Sequence, residues 1–165
     1  LSHEVMHWNE WVSRGLKDPK EIKGCEGIYI EGSIYGDAVD RIGYMLYVSL
    51  SYENNAFIQQ AATMISKRKP ENKEQFMVYL KENPIYTFVE TMLSYNPNIY
   101  LEEINNLDKQ RLSQLYKIMM CYYSKDGIPK VKSIDKFLTD IDRKFKMTGE
   151  YLKRKLLRLI TVVWK

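Results

Sequence analysis

Cysteine and histidine are scarce in this chain, with two of each in 165 residues. Cys25 and Cys121 stand far apart and in no metal-binding spacing. They imply no disulfide framework, and a reducing compartment is the default reading. No apolar run reaches the roughly 20 residues that a membrane-spanning helix needs. Net charge is low as well. Twenty-five basic residues against twenty-one acidic ones leave a formal +4. So mild an excess does not by itself call for a nucleic-acid partner. No repeat, low-complexity tract or long linker divides the chain, which reads as a single helical domain over 1–165. The chain begins with Leu rather than Met. It is therefore expected to be a fragment or a processed form, and its start carries no information about localisation.

What is present suits a packed core. Hydrophobic residues make up 45% and charged ones 28%, a globular balance. Helical spacing predicts a helix over residues 2–14, with Val5, Trp8, Trp11 and Val12 on it, Trp8 and Trp11 as core anchors and Gly15 as its C-terminal cap. Asp18, Pro19 and Glu21 have the pattern of a capped helix start. Residues 22–50 are ambiguous. They fit a helix with Cys25, Gly32, Gly36 and Gly43 as its small face, or a short hairpin near Gly27–Gly36. The helix is preferred, because strands so short would have no sheet to join. Beyond residue 55 the pattern is helical throughout. Its pieces are 56–68, stopped by Pro70, then 71–82, 84–95, 107–123, 133–145 and 148–165. The expected fold is mainly α, with residues 51–165 as a scaffold. Phe57, Ile58, Ala61, Ala62 and Ile65 offer an apolar face on which the glycine-rich segment 24–43 is expected to pack.

Both histidines fall in one short stretch, His3-Glu4-Val5-Met6-His7, which reads H-E-x-x-H. On a helix, residues four apart share a face, so His3 and His7 can both reach one zinc ion. Glu4 beside them is suited to accept a proton from a water polarised by that ion. A third ligand must come from elsewhere. The other reading makes the two histidines part of a solvated N-terminal turn.

Eighteen residues separate His7 from Glu26-Gly27. This H-E-x-x-H, eighteen residues, E-G pattern resembles the gluzincin zinc metallopeptidases, notably the aminopeptidase N-like group. The resemblance covers residues 1–45. It implies His3, His7 and Glu26 as zinc ligands, Glu4 as general base, Zn2+ as cofactor and a peptide or protein as substrate. It also implies a substrate-aligning sheet upstream of the motif helix. This chain does not supply one, so a preceding portion of the same protein is an expected partner. Glu31, Asp37 and Asp40 are substitute ligand candidates, as is Cys25. Tyr29 and Tyr35 are candidate donors to an oxyanion.

The last predicted helix has Leu152, Leu156, Leu157, Ile160 and Val163 as an apolar stripe beside Lys153, Arg154, Lys155 and Arg158. Such a helix can be a core helix with a solvated basic face, or can lie on an anionic surface. The second function that the sequence admits is thus a non-catalytic helical interaction module, binding protein or nucleic acid through this basic helix.

Overall fold

The computed structural model describes residues 8, 12, 26–29, 35–124 and 132–163, with the backbone alone at Glu26, Gly27, Ser51, Tyr52 and Val163. Every regular element among them is helical. A four-residue turn, α1 (Glu26–Tyr29), comes first. It is followed by α2 (Ala38–Val48), α3 (Ser51–Lys67), α4 (Lys73–Lys81), α5 (Pro84–Leu93), α6 (Pro97–Ile104), α7 (Lys109–Tyr123) and α8 (Ile134–Val163). The fold is mainly α, as expected.

The helix starts follow from short-range chemistry. Each begins with backbone N–H groups that lack a helical partner, and a short polar side chain just outside can accept from them. Asn72 does so for Gln75 N at 2.8 Å, and Asp108 for Arg111 N at 2.8 Å. Asn83 accepts from Ile85 N at 2.9 Å and Asn96 from Asn98 N at 3.0 Å, each followed by a proline at the first helical position. Proline suits that position because its missing N–H would have had no partner. The Asn-Pro pairs therefore open helices, and the second of them opens α6, which the sequence reading left out.

Three further differences from expectation have local causes. Residues 22–50 are not one helix, for the chain turns at Tyr35-Gly36 and restarts at Asp37. Gly36 is required there, since a Cβ would lie 2.1 Å from Asp40 Oδ2. Residues 26–29 are helical, so that part of the possible hairpin is not a strand, while 30–34 lie outside the described residues. The two helices predicted over 133–145 and 148–165 are replaced, among the described residues, by one thirty-residue helix, α8 (Ile134–Val163). Gly149 is a packing notch within it, as a Cβ there would lie 2.9 Å from Leu93 Cδ2 on α5. Trp8 is helical but 60% exposed, and so is no core anchor.

The chain divides into two compact units, each built from separated stretches of sequence. The first holds α3, α4, α5 and α8 from Lys146 onward. Here α3 packs on α4 and α5, and α4 on α5. Ile65, Phe76, Leu80, Met92, Leu152 and Leu156 are buried, each such burial stabilising by roughly 1.5–3 kcal/mol. Lys153 pairs with Glu90 at 2.8 Å along the α5–α8 contact.

The second unit holds α1, α2, α6, α7 and α8 up to Phe145. Its core includes Ile42, Met45, Leu46, Ile104, Leu115, Phe137 and Phe145. Tyr95 packs edge-on against Phe145, with ring centroids 5.1 Å apart, and donates its hydroxyl proton to the Leu138 carbonyl at 3.3 Å. Its burial pushes the phenol pKa well above the ordinary value. In this unit α1 packs on α2 and α7, and α2 on α6 and α7. The described part of segment 24–43 thus finds its partners in α6 and α7. The face at Phe57–Ile65 belongs to the other unit, where Ala61 and Ile65 are fully buried.

Candidate functional site

His3, Glu4 and His7 lie outside the described residues, as do Cys25 and Glu31. Glu26 is described through its backbone, which opens the α1 turn against α2 and α7. Among the described residues, no three His, Cys, Asp or Glu side chains group closely enough to hold a metal ion. Tyr29 is buried at 5% exposure, whereas Tyr35 is 91% exposed.

Asp37 and Asp40 have a different occupation from the ligand role considered for them. Asp37 caps α2, accepting from Val39 N at 3.0 Å and Asp40 N at 3.1 Å. Arg111 of α7 reaches the same carboxylate. Its Nε donates to Asp37 Oδ2 at 2.7 Å and its Nη2 to Asp37 Oδ1 at 2.5 Å. Nη2 also donates to Asp40 Oδ1 at 2.7 Å, and Nη1 to Gln114 Oε1. A planar guanidinium matches a carboxylate in this two-point way, which fixes orientation as well as adding energy. These Arg111 bonds hold the Asp37 carboxyl below its ordinary pKa against the opposing effect of burial, with the backbone donors helping. Both aspartates are thereby committed to structure.

Beside this clamp, α1, α2 and α7 leave a cleft of about 230 Å³. Ile28, Val39, Gly43 and Ile118 make its apolar lining, and Asp40, Arg111, Gln114 and Lys117 its polar one. It is smaller than the roughly 300–1,000 Å³ of typical small-molecule pockets. The first unit has a cavity of about 320 Å³, bordered by Met64, Ile65, Tyr79 and Pro84. Arg68 covers it, stacked 3.7 Å from the Tyr79 ring centre and paired with Glu82 at 2.7 Å.

The remaining candidate is the outer face of α8 within the first unit. Met147, Tyr151, Arg154, Arg158 and Val162 follow one another at intervals of four, three, four and four residues, which places them on one helical stripe. Met147 is 62% exposed and Val162 69% exposed, while Arg154 and Arg158 are exposed and Tyr151 is half-buried. Lys155 flanks the stripe, its ammonium 5.6 Å from the Tyr151 ring centre. No described helix is long and apolar enough to cross a membrane.

Sequence reasoning found the basic residues of α8, but not the two exposed apolar ones in line with them. It also passed over Arg111. The local signal there, Asp108 three residues earlier, announces a helix start and says nothing of Asp37, 74 positions away. No family model, curated protein or solved structure matches this chain.

Proposed function

We propose that the chain is part of a zinc-dependent metallopeptidase of gluzincin type, in which His3, His7 and Glu26 hold the ion and Glu4 acts as general base. The observation that carries this reading is the H-E-x-x-H stretch followed after eighteen residues by Glu26-Gly27, with Glu26 at the head of a helical turn. Two imidazoles and one carboxylate are a donor set that zinc accepts, with a fourth position left for water. When bound, the metal supplies Lewis acidity and lowers the pKa of a water. Glu4 accepts the proton that this water loses on attacking a peptide carbonyl, then delivers it to the departing amine. Elemental analysis after dialysis tests the site. About one zinc per chain is expected, falling sharply in His7→Ala and retained in Glu4→Gln, while peptidase activity falls by about 10²–10⁴-fold in Glu4→Gln. Equal zinc in the unaltered chain and His7→Ala, or none in either, defeats the proposal.

The exposed stripe of α8 favours a second reading, a non-catalytic helical module that docks through this face. What supports it is the alignment: Met147 and Val162 are exposed on the same helical stripe as Arg154 and Arg158, so apolar and cationic groups are presented together.

A further inference from the structure

We infer that the outer face of α8 from Met147 to Val162 docks on an anionic phospholipid surface, and this rests on the second reading above. Charge is the first argument. Residues 146–158 carry Lys146, Lys153, Arg154, Lys155 and Arg158 against one acidic residue, Glu150, an excess equal to the formal +4 of the whole chain. Lys153 is neutralised by Glu90. Among the described residues, Arg154 and Arg158 have no ion-pair partner and face outward. Guanidinium groups match phosphate oxygens and are more weakly hydrated than ammonium groups, so they give up water to a headgroup readily.

The apolar residues choose between the polyanions. A phosphodiester backbone would satisfy Arg154, Lys155 and Arg158 but would leave Met147 and Val162 in water. A bilayer interface takes both kinds of group, with the cations among the headgroups and the apolar side chains at the acyl boundary. The stripe runs over sixteen residues, and its ends are about 22 Å apart along the helix. The strongly apolar face of the same helix, with Leu152 and Leu156, is already buried in the core of its unit. The contact is therefore shallow and peripheral, made with the unit intact.

Co-sedimentation of the full chain with vesicles tests this. Binding is expected to phosphatidylcholine vesicles containing a minority of phosphatidylserine, and not to phosphatidylcholine alone. It should weaken with added salt, as the screening length drops from about 10 Å at 0.1 M to 3 Å at 1 M. The double variant Arg154→Gln, Arg158→Gln should lower the partition coefficient about thirty-fold, the equivalent of ~1 kcal/mol per basic residue. Val162→Ser removes no charge and should still weaken binding severalfold. All three positions are exposed, and unchanged thermal melts verify that the variants fold. Absence of binding to the anionic vesicles, or binding that the double variant leaves unchanged, overturns the inference. So does tighter binding to a nucleic-acid duplex that the double variant loses and Val162→Ser leaves untouched. That outcome would preserve docking through α8 with a different partner, whereas binding to neither vesicles nor duplex removes the support that the stripe lends to the module itself.

Discussion

Each unit has an arginine that ties helices together, and the two differ in what the carboxylate they hold is already doing. Arg68, in the first unit, lies over Tyr79 and pairs with Glu82; the two charged side chains are 47% and 53% exposed. Glu82 is the C-cap of α4, a role its backbone N–H fills by donating to the Val78 carbonyl, and one that does not use its carboxylate. Arg111, in the second unit, pairs with Asp37 and Asp40, and these three side chains are between 24% and 33% exposed. Asp37 is also the N-cap of α2. Screening by water reduces the Arg68 pair to the modest worth of a surface contact. The Arg111 pair is better shielded and fixes a capping side chain that a helix needs for its first turn. Two pairs with the same chemistry thus contribute unequally, because one partner has a second task.

The largest expected effect sits in the first unit and does not involve these arginines. Ile65 is fully buried. Ile65→Asp places an unpaired charge in that core, at a cost of about 3–5 kcal/mol. Hydrogen exchange should show loss of amide protection in α3, α4 and α5. Retained protection there would mean that the first unit is not held by its apolar core.

Next comes the comparison of the arginines themselves. Arg111→Met should destabilise by about 1–3 kcal/mol, because it leaves Asp37 and Asp40 close together with no counter-charge. Arg68→Met should cost less than about 1 kcal/mol, since methionine keeps part of the contact with Tyr79. Denaturant midpoints measure both. Equal losses would break the comparison.

Acid should act through the same clamp. In the folded state Arg111 holds the Asp37 carboxyl below its ordinary pKa, against the opposing effect of burial. A carboxylate depressed on folding stabilises fully above its unfolded pKa, near 3.9, and loses that contribution as pH falls toward its folded value. Asp140 is also depressed: burial opposes its ionisation, but Lys136, Tyr123 and Lys132 outweigh it. Melting temperature should therefore drop between about pH 5 and pH 2. Asp37→Asn, less stable at neutral pH, should lose less over that interval. An identical acid dependence in the variant would show that Asp37 is not held by Arg111 in solution.

The smallest effect is a gain. Lys69 has a φ of 49°, in the left-handed region that side chains disfavour, just beyond the end of α3. Lys69→Gly should stabilise by about 0.5–1 kcal/mol, readable as a small rise in melting temperature. A fall would place the contribution of Lys69 in its side chain.

Much of the helical layout was legible in particular residues. Asn83-Pro84 announces a helix start through a cap and a fixed φ; Asn96-Pro97 carries the same signal, but the sequence reading takes it only as the end of the preceding helix. Pro70 marks the end of α3, and the spacing of Leu152 and Leu156 marks a buried face. The reading went astray where one residue serves two purposes. The break expected at residues 146–147 is absent, and Gly149 just beyond it is a notch for Leu93; Gly36 looks like part of a helix face and is where Asp40 folds back. Of the proposed zinc residues, only the backbone of Glu26 falls among the described positions, where it opens the α1 turn.

The sequence by itself determined that this chain is mainly helical and, to within two residues, where α4, α5, α7 and α8 begin, because capping, proline and apolar periodicity act over a few residues. Only the tertiary structure decided that Arg111 would meet an aspartate 74 positions earlier, that segments 19–50 and 95–145 would share one unit, and that Met147 and Val162 would face outward beside Arg154 and Arg158. Those outcomes depend on which surfaces bury one another. Such a choice is made by the summed packing of the whole core, and no local pattern encodes it.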